Sequence, residues 1–130
     1  MLTPKQEEKT ERQIVILYAG GDPGLLVVRR LLLEHARCVV TTAATYQTFA
    51  KEFYGGDFDG VVLCSSVKNT ERRKMALLVL QHSPSTPVIV ISEGPFSQYN
   101  FGTITVDPQP ESLLTAIAEA VKGPHRRRSA

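Results

Sequence analysis

Four polar side chains that carry chemistry each follow an apolar segment of this sequence. They are Asp22, Cys64, Ser92 and Asp107. A thiol can serve as a nucleophile, a redox group or a soft metal ligand, whereas carboxylates bind hard cations or move protons. In an open α/β sheet such groups collect at the carboxyl ends of the strands. One hypothesis is therefore a small-ligand site, or a redox or thiol-dependent module, that uses the pocket around these four residues.

Cys64 is the most reactive of these groups, but its sequence context favours a structural role. No second cysteine or histidine lies near it in sequence to complete a zinc site. Burial in apolar surroundings raises the pKa of a thiol and makes it inert. Cys38 begins one predicted strand and Cys64 ends another, so parallel pairing would separate them by roughly 20 Å, beyond the ~7 Å Cα limit of a disulfide. We predict two free cysteines.

The glycine-rich turn at 20–24 opens a predicted helix, with Asp22 as its N-cap and Pro23 at its first position. A helix N-terminus can bind phosphate. However, the glycine spacing fits neither the dinucleotide fingerprint nor a P-loop, and Asp22 puts negative charge where an anion would lie. The pattern favours a tight turn over a nucleotide site. The three histidines are scattered, so the sequence predicts no enzyme, no bound metal and no cofactor.

Apolar strands alternate with helices along the chain. Predicted strands cover 14–18, 38–42, 58–64, 88–92 and 104–106, and predicted helices cover 24–35, a segment that Thr45 caps and Gly55 ends, 70–82, and a segment from 110. Such alternation with apolar strands predicts a parallel sheet covered on both faces. We predict a doubly wound, five-stranded α/β sandwich of the flavodoxin type, with strand order 2-1-3-4-5.

The formal charge of +2 is unevenly distributed. Four positive charges lie in the tail, on Lys122, Arg126, Arg127 and Arg128, which leaves the rest of the chain near −2. Such a domain lacks the basic character of a nucleic-acid binder, so a nucleic-acid accessory role rests on the tail alone. We predict a flexible segment at 1–12, one domain at 13–122 and a basic disordered tail at 123–130.

The longest apolar stretch, 24–33, is interrupted by Arg29 and Arg30 and is too short and too charged to span a bilayer. The first nine residues contain no apolar core of a secretory signal. The sequence therefore predicts a cytoplasmic location.

Ordered landmarks along 13–121 resemble the receiver domain of response regulators, the phosphoacceptor module of two-component signalling. The first strand and the turn at Asp22 are similar to the family's first strand and acidic turn, and the strand ending at Cys64 is similar to the one that leads to the phosphoacceptor aspartate. The strand ending at Ser92 is similar to the one that ends in a switch Ser or Thr, and Asp107 with its following proline stands where the family has Lys-Pro. The resemblance implies the receiver fold and a signalling role, with a histidine kinase, a regulator or an output domain as partner.

The departures from that family are as informative as the matches. Gly20 and Gly21 stand at the positions of its two metal-binding acids, Cys64 at its phosphoacceptor aspartate and Asp107 at its lysine, and Ser92 alone keeps its chemistry. Glycine offers no oxygen ligand for Mg²⁺, a thiolate is a soft ligand, and Asp107 would repel an incoming phosphate. We therefore predict a degenerate receiver, or pseudo-receiver, that is not phosphorylated and acts through protein–protein contacts.

The segment between Ser92 and Asp107 is short. The residues between them include the pair Gly94 and Pro95 and show weak helical periodicity. The resemblance therefore implies that the helix an ordinary receiver has between its fourth and fifth strands is shortened or missing here.

The first predicted helix carries apolar residues on two sides. The side assigned to the core consists of Leu25, Val28, Leu31 and Leu32. Leu26 and Leu33, seven residues apart, lie on another side, next to Arg29. An extra apolar stripe can mark a partner surface, and loops can equally shield it. We predict a partner surface at Leu26 and Leu33, with a homodimer through this helix as one hypothesis.

Overall fold

The computed structural model describes residues 13–92 and 104–121. Its five strands are β1 (Ile14–Ala19), β2 (Cys38–Ala43), β3 (Gly60–Leu63), β4 (Val88–Ile91) and β5 (Ile104–Val106). The four helices within the described residues are α1 (Pro23–His35), α2 (Tyr46–Gly55), α3 (Asn69–His82) and α4 (Pro110–Val121). These elements follow the predicted order and lie within a few residues of the predicted positions.

The strands form one parallel sheet in the order β2-β1-β3-β4-β5. The predicted doubly wound α/β sandwich is confirmed. The register aligns Ala19 at the end of β1 with Leu63 at the end of β3, and Ile91 of β4 with Val106 of β5. The residues that follow these strand ends therefore meet along one edge of the sheet, which we call the carboxyl edge.

Side chains that alternate along the strands pack into two apolar layers, one on each face of the sheet. On one face, β1 and β3 pack with Phe49 of α2 and Met75 of α3. On the other face, they pack with Leu33 of α1 and with Leu113 and Ile117 of α4. Because helices cover both faces, every residue of β3 and β4 is buried, which explains their continuous apolar sequences.

Two polar side chains begin helices as predicted. Asp22 Oδ1 accepts hydrogen bonds from the backbone N–H groups of Gly24 at 3.0 Å and Leu25 at 3.2 Å, and so caps α1. Thr45 Oγ1 accepts a hydrogen bond from the N–H of Thr48 at 3.1 Å and caps α2. The free N–H groups that an anion would need at the start of α1 are therefore taken by the chain's own carboxylate.

The faces of α1 agree with the prediction only in part, since Leu25 packs against the apolar layer as predicted. Leu33 has no exposed surface and Leu26 is partly buried against the same apolar layer, so the predicted partner surface at these leucines is wrong for Leu33 and largely covered at Leu26. Val28 and Leu31, which were predicted to face the core, are 62% and 54% exposed. Arg29 lies on the same buried side of the helix as Leu33 and is only 8% exposed.

Several predictions concern residues outside the described ranges. They are the flexible segment at 1–12, the shortened or missing helix before β5, and the tail with Arg126, Arg127 and Arg128. Within residues 13–92 and 104–121, no helix combines the length and the apolar character needed to cross a membrane.

Candidate functional site

The carboxyl edge gathers the residues that follow β1, β3, β4 and β5. Cys64 N–H donates to the carbonyl oxygen of Ala19 at 2.8 Å, which places Cys64 directly beside the end of β1 and Gly20. Ser92 N–H donates to the carbonyl oxygen of Val106 at 2.9 Å, which places Ser92 beside the end of β5 and next to Asp107. The strand order then puts Cys64 between the glycines that follow β1 and the half-buried Ser92.

Cys64 is 1% exposed, yet polar groups surround its sulfur. Ser66 Oγ lies 3.3 Å and Ser66 N lies 3.5 Å from Sγ. Arg29 Nη1 lies 3.7 Å from Sγ, and the Tyr18 hydroxyl also hydrogen-bonds to it. Four donor groups therefore converge on one sulfur. Cys64 and Cys38 are both free, as predicted, but the prediction of wholly apolar surroundings for the Cys64 sulfur is wrong.

Arg29 supplies the positive charge of this cluster. Its Nη1 donates to Tyr18 Oη at 3.0 Å, and its Nη2 donates to the carbonyl oxygen of Pro108 at 3.5 Å. Among the described residues, Arg29 is the one charged residue that is buried. No carboxylate among them pairs with it. A buried cation without an anion is costly. The Cys64 sulfur is thus the group best placed to supply the compensating charge.

The turn after β3 directs Ser66 at the sulfur. Ser66 Oγ accepts hydrogen bonds from the N–H of Gly21 at 2.9 Å and of Asp22 at 3.3 Å. A hydroxyl has two acceptor lone pairs and one proton, so these two bonds leave its proton free to point at Cys64 Sγ. Ser66 thereby ties the turn after β1 to the turn after β3 through the same hydroxyl that contacts the thiol.

These contacts determine which group of the cluster ionises. Burial alone would raise the pKa of Cys64, but hydrogen bonds from Ser66 and Tyr18 and the charge of Arg29 outweigh burial and hold that pKa below its ordinary value of 9.0. Burial, and then the hydrogen bond with Cys64, raise the pKa of Tyr18 above its ordinary 10.0. Tyr18 therefore remains a neutral hydroxyl while Cys64 loses its proton more readily than a free thiol.

Close backbone contacts explain the two glycines that follow β1. A Cβ atom at Gly21 would lie 2.8 Å from the carbonyl oxygen of Ser66, which is closer than Cβ atoms approach such groups. A Cβ atom at Gly20 would lie 3.0 Å from a ring carbon of Tyr18 and 3.3 Å from a methyl group of Leu26. A side chain is therefore excluded at Gly21 and crowded at Gly20 in this conformation. Across residues 13–92 and 104–121, no group of three or more His, Cys, Asp or Glu is arranged to hold a metal ion.

The two carboxylates of the predicted site serve helix starts. Asp22 caps α1, and Asp107 is exposed with its Oδ1 accepting a hydrogen bond from Gln109 N–H at 3.0 Å. Hydrogen bonds from Ser112 and Gln109 lower the pKa of Asp107, which keeps it charged beside the start of α4. The structure therefore brings Cys64, Gly20 and Gly21 into the candidate site, while both carboxylates bind backbone N–H groups instead.

Sequence reasoning missed Arg29, Tyr18 and Ser66. The available signal was the position of Arg29 four residues from both Leu25 and Leu33, because residues at this spacing share a helix face. An arginine in the middle of an apolar stripe indicates either a solvent-facing side or a buried partner, and here it has buried partners.

A pH series of stability tests the state of the thiol. A pKa that is lower in the folded chain than in the unfolded chain contributes stability that is fully present above 9.0 and is lost as the pH falls through the folded value. We expect the difference in the free energy of unfolding, natural chain minus Cys64→Ser, to increase as the pH rises toward 9.0. Chemical denaturation of both proteins under reducing conditions measures this difference.

The Cys64→Ser variant serves as the reference because the second thiol, Cys38, changes the stability with pH in the opposite direction to Cys64. Burial and the charge of Asp59 raise the pKa of Cys38, so its contribution to stability falls as the pH rises through 9.0. Cys38 is present in both proteins and cancels in the difference. A difference that stays constant, or that shrinks with rising pH, would contradict the assigned thiol state.

Comparisons with solved structures identify the fold. The chemotaxis response regulator CheY4 of Vibrio cholerae is 15% identical to this chain, with a TM-score of 0.74 over 84% of this chain and 99% of that one. A putative response regulator from Chloroflexus aurantiacus is 16% identical, with a TM-score of 0.76 over 86% and 100%. The response regulator TrrA from Thermotoga maritima, solved in complex with Mg²⁺ and BeF, is 13% identical, with a TM-score of 0.72 over 83% and 99%.

No family model matches the sequence, and no curated protein matches it. The likeness therefore concerns the three-dimensional structure. This chain has the CheY-like flavodoxin fold of response-regulator receiver domains, which confirms the fold that the sequence resemblance implied.

Proposed function

We propose that this domain is a receiver-like signalling module that accepts no phosphoryl group, has no enzyme activity and acts through contact with a protein partner. The partner class is a kinase, a regulator or an output domain of a two-component system. The fold supports the signalling class. The observation that carries the proposal is the content of the carboxyl edge, where the Arg29 guanidinium contacts the thiol of Cys64 after β3.

The chemistry of the edge argues against aspartyl phosphorylation. Phosphoryl transfer to a carboxylate depends on Mg²⁺, which takes oxygen ligands in a strict geometry. Position 64 offers sulfur, and positions 20 and 21 offer no side-chain atom. The carboxylate nearest in sequence to positions 20 and 21 is Asp22, which already accepts two backbone hydrogen bonds at the start of α1.

The space at the edge supports the same proposal. The Arg29 guanidinium contacts the Cys64 sulfur from one side and the Pro108 carbonyl from another. Ser66 lies between the Cys64 sulfur and Gly21, because its hydroxyl oxygen accepts a hydrogen bond from the N–H of Gly21. Groups of this chain therefore already make hydrogen bonds on two sides of residue 64, so the space beside it is partly filled.

Exposed apolar side chains on α1 support an output through protein contact. Val27, Val28 and Leu31 are 47%, 62% and 54% exposed and lie within two helical turns. Large apolar side chains grouped on one exposed helix face are typical of contact surfaces. The homodimer predicted from the sequence remains a hypothesis, and this stripe replaces Leu26 and Leu33 as its place on α1.

Incubation with Mg²⁺ and acetyl phosphate tests the proposal directly. We expect the intact mass of the chain to show no added phosphoryl group, because position 64 carries a thiol and positions 20 and 21 offer no oxygen ligand for Mg²⁺. We also expect Mg²⁺ with beryllofluoride to leave the melting temperature unchanged. A ligand at about 100 times its dissociation constant would add ~2.7 kcal/mol of stability, so binding would be visible.

TrrA from Thermotoga maritima is the positive control, since it was solved in complex with Mg²⁺ and BeF. Both proteins are treated in parallel under the same conditions. A phosphoryl group found on this chain, or a beryllofluoride-dependent rise in its melting temperature comparable to that of the control, would falsify the proposal.

A further inference from the structure

The cluster at Cys64 holds one permanent positive charge and one group able to neutralise it. Arg29 is more than nine-tenths buried, and its guanidinium contacts Sγ at 3.7 Å and has no carboxylate partner in the described part of the chain. Ser66 directs its N–H and its hydroxyl proton at the same sulfur. A neutral thiol would leave the guanidinium without a counterion, so the geometry favours the thiolate.

We propose that Cys64 is a modification site, held as a thiolate against Arg29 and oxidised by hydrogen peroxide to a sulfenic acid. The chemistry stands on the cluster alone. It rests on the proposed function only in that it gives a module without phosphorylation an alternative chemical input.

The oxidation step balances with peroxide as the two-electron oxidant. The Cys64 sulfur attacks one oxygen of the peroxide, so that the S–O bond forms while the O–O bond breaks. The second oxygen leaves with the bonding electron pair as hydroxide, and the attacked oxygen keeps its proton as the sulfenic acid. Arg29 and Ser66 are donors beside the reacting sulfur and can stabilise the negative charge that moves onto the leaving oxygen.

Access selects the oxidant and the product. Cys64 is 1% exposed beneath the exposed turn residues Gly21 and Ser66, so a small neutral oxidant is favoured over a bulky disulfide. The other cysteine, Cys38, lies at the opposite end of the sheet, because it pairs with Ile14 at the start of β1 whereas Cys64 follows the end of β3. No internal disulfide can form over such a distance, and the sulfenic acid is the product unless an external thiol reacts with it.

Oxidation of Cys64 should change the conformation of surface turns at the carboxyl edge. An oxygen added to Sγ must enter the contacts that Ser66 and Arg29 make with the sulfur. Ser66 binds the N–H groups of the turn after β1, and Arg29 binds the Pro108 carbonyl before α4. Oxidation should therefore shift both turns at the carboxyl edge, where a partner could distinguish the two states.

Competition between the two cysteines of the full chain tests the inference. The reduced protein is treated with hydrogen peroxide at neutral pH, sulfenic acid is trapped with dimedone, and peptide mass spectrometry follows each cysteine. Exposure alone would favour Cys38, which is 7% exposed against 1% for Cys64. We expect the opposite order, with Cys64 labelled at least about tenfold faster, because the thiolate is the reacting form.

Matched arginine variants separate the charge from general changes in the helix. Arg29→Met should slow the labelling of Cys64 to the rate of Cys38 or below, whereas Arg30→Met should leave it unchanged, since Arg30 pairs with Glu34 on the outer side of α1. If Arg29→Met does not fold, Ser66→Ala decides the question, because it removes a donor to the sulfur from an exposed position. We expect Ser66→Ala to slow labelling severalfold.

Two outcomes would overturn the inference. One is preferential labelling of Cys38, or no sulfenic acid at Cys64. The other is an unchanged rate at Cys64 in a folded Arg29→Met or Ser66→Ala variant. The added mass of one oxygen is distinct from that of a phosphoryl group, so failure here and failure of the proposed function are read separately.

Discussion

Replacing Arg29 with alanine should remove about 2–5 kcal/mol of the free energy of unfolding, the usual cost of truncating a long buried side chain, because buried acceptors also lose their donor. The variant takes a hydrogen-bond donor from both the Cys64 sulfur and the Tyr18 hydroxyl. It also removes a long buried stem. Domains of this kind are stable by only ~5–15 kcal/mol, so a large share of the total would be lost. Urea denaturation followed by circular dichroism measures the change.

The neighbouring arginine is the matched control. Arg30 has a side chain that is 43% exposed and lies 3.8 Å from the equally exposed carboxylate of Glu34. Exposed pairs of this kind contribute only about 0–1 kcal/mol, so Arg30→Ala should cost little. Equal losses from the two substitutions would contradict the role assigned to Arg29 and would indicate that helix α1 is sensitive to any truncation.

A double-mutant cycle separates charge from packing at the same site. Arg29→Met keeps much of the buried stem, and Cys64→Ser keeps the side-chain size but removes the ionisable sulfur. If the thiolate and the guanidinium stabilise each other, the two losses should be less than additive, with a coupling of roughly 0.5–3 kcal/mol. Additive losses would show that the two side chains contact without mutual stabilisation.

The fold could be predicted because its signals are local. Asp22 and Thr45 are side chains of the type that begin helices, and each caps the helix that it precedes. The strands are short apolar runs, and few topologies connect alternating strands and helices without crossing. The end of α1 is less evident, since Arg37 takes a left-handed conformation, with φ of 72°, where glycine would be the usual signal.

The site could be predicted only in part, because its decisive contacts join distant segments. Which residues follow the strand ends is evident from the sequence, and the structure places Cys64, Gly20 and Gly21 together there. The environment of Cys64 depends on Arg29, which is 35 positions away in the chain and also binds a carbonyl 79 positions away. No local pattern encodes such contacts. Periodicity alone placed Val28 and Leu31 on the core face and Leu33 on another side, whereas the structure buries Leu33 and exposes Val28 and Leu31.

Side chains at the two glycines after β1 should destabilise the chain. Gly21→Ala should cost about 1–3 kcal/mol, because the new Cβ would lie 2.8 Å from the Ser66 carbonyl oxygen, a backbone atom that cannot move aside alone. Gly55→Ala is the matched control at the end of α2, where a Cβ meets nothing within 4 Å and the helix tolerates alanine well. Urea denaturation of both variants measures the contrast, and equal stabilities would contradict the steric argument.

The same contact decides whether phosphorylation can be restored by substitution. A chain with Gly20→Asp, Gly21→Asp and Cys64→Asp has carboxylates at all three positions where the resemblance expects them. We nevertheless expect no phosphoryl group from acetyl phosphate in its intact mass, because a side chain at position 21 meets the Ser66 carbonyl and Arg29 already contacts position 64. If the folded triple variant is phosphorylated, residue types alone separate this domain from a phosphoacceptor. If it is not, carboxylates at these three positions are insufficient, and the contacts at positions 21 and 64 or Asp107 at the lysine position still prevent the reaction.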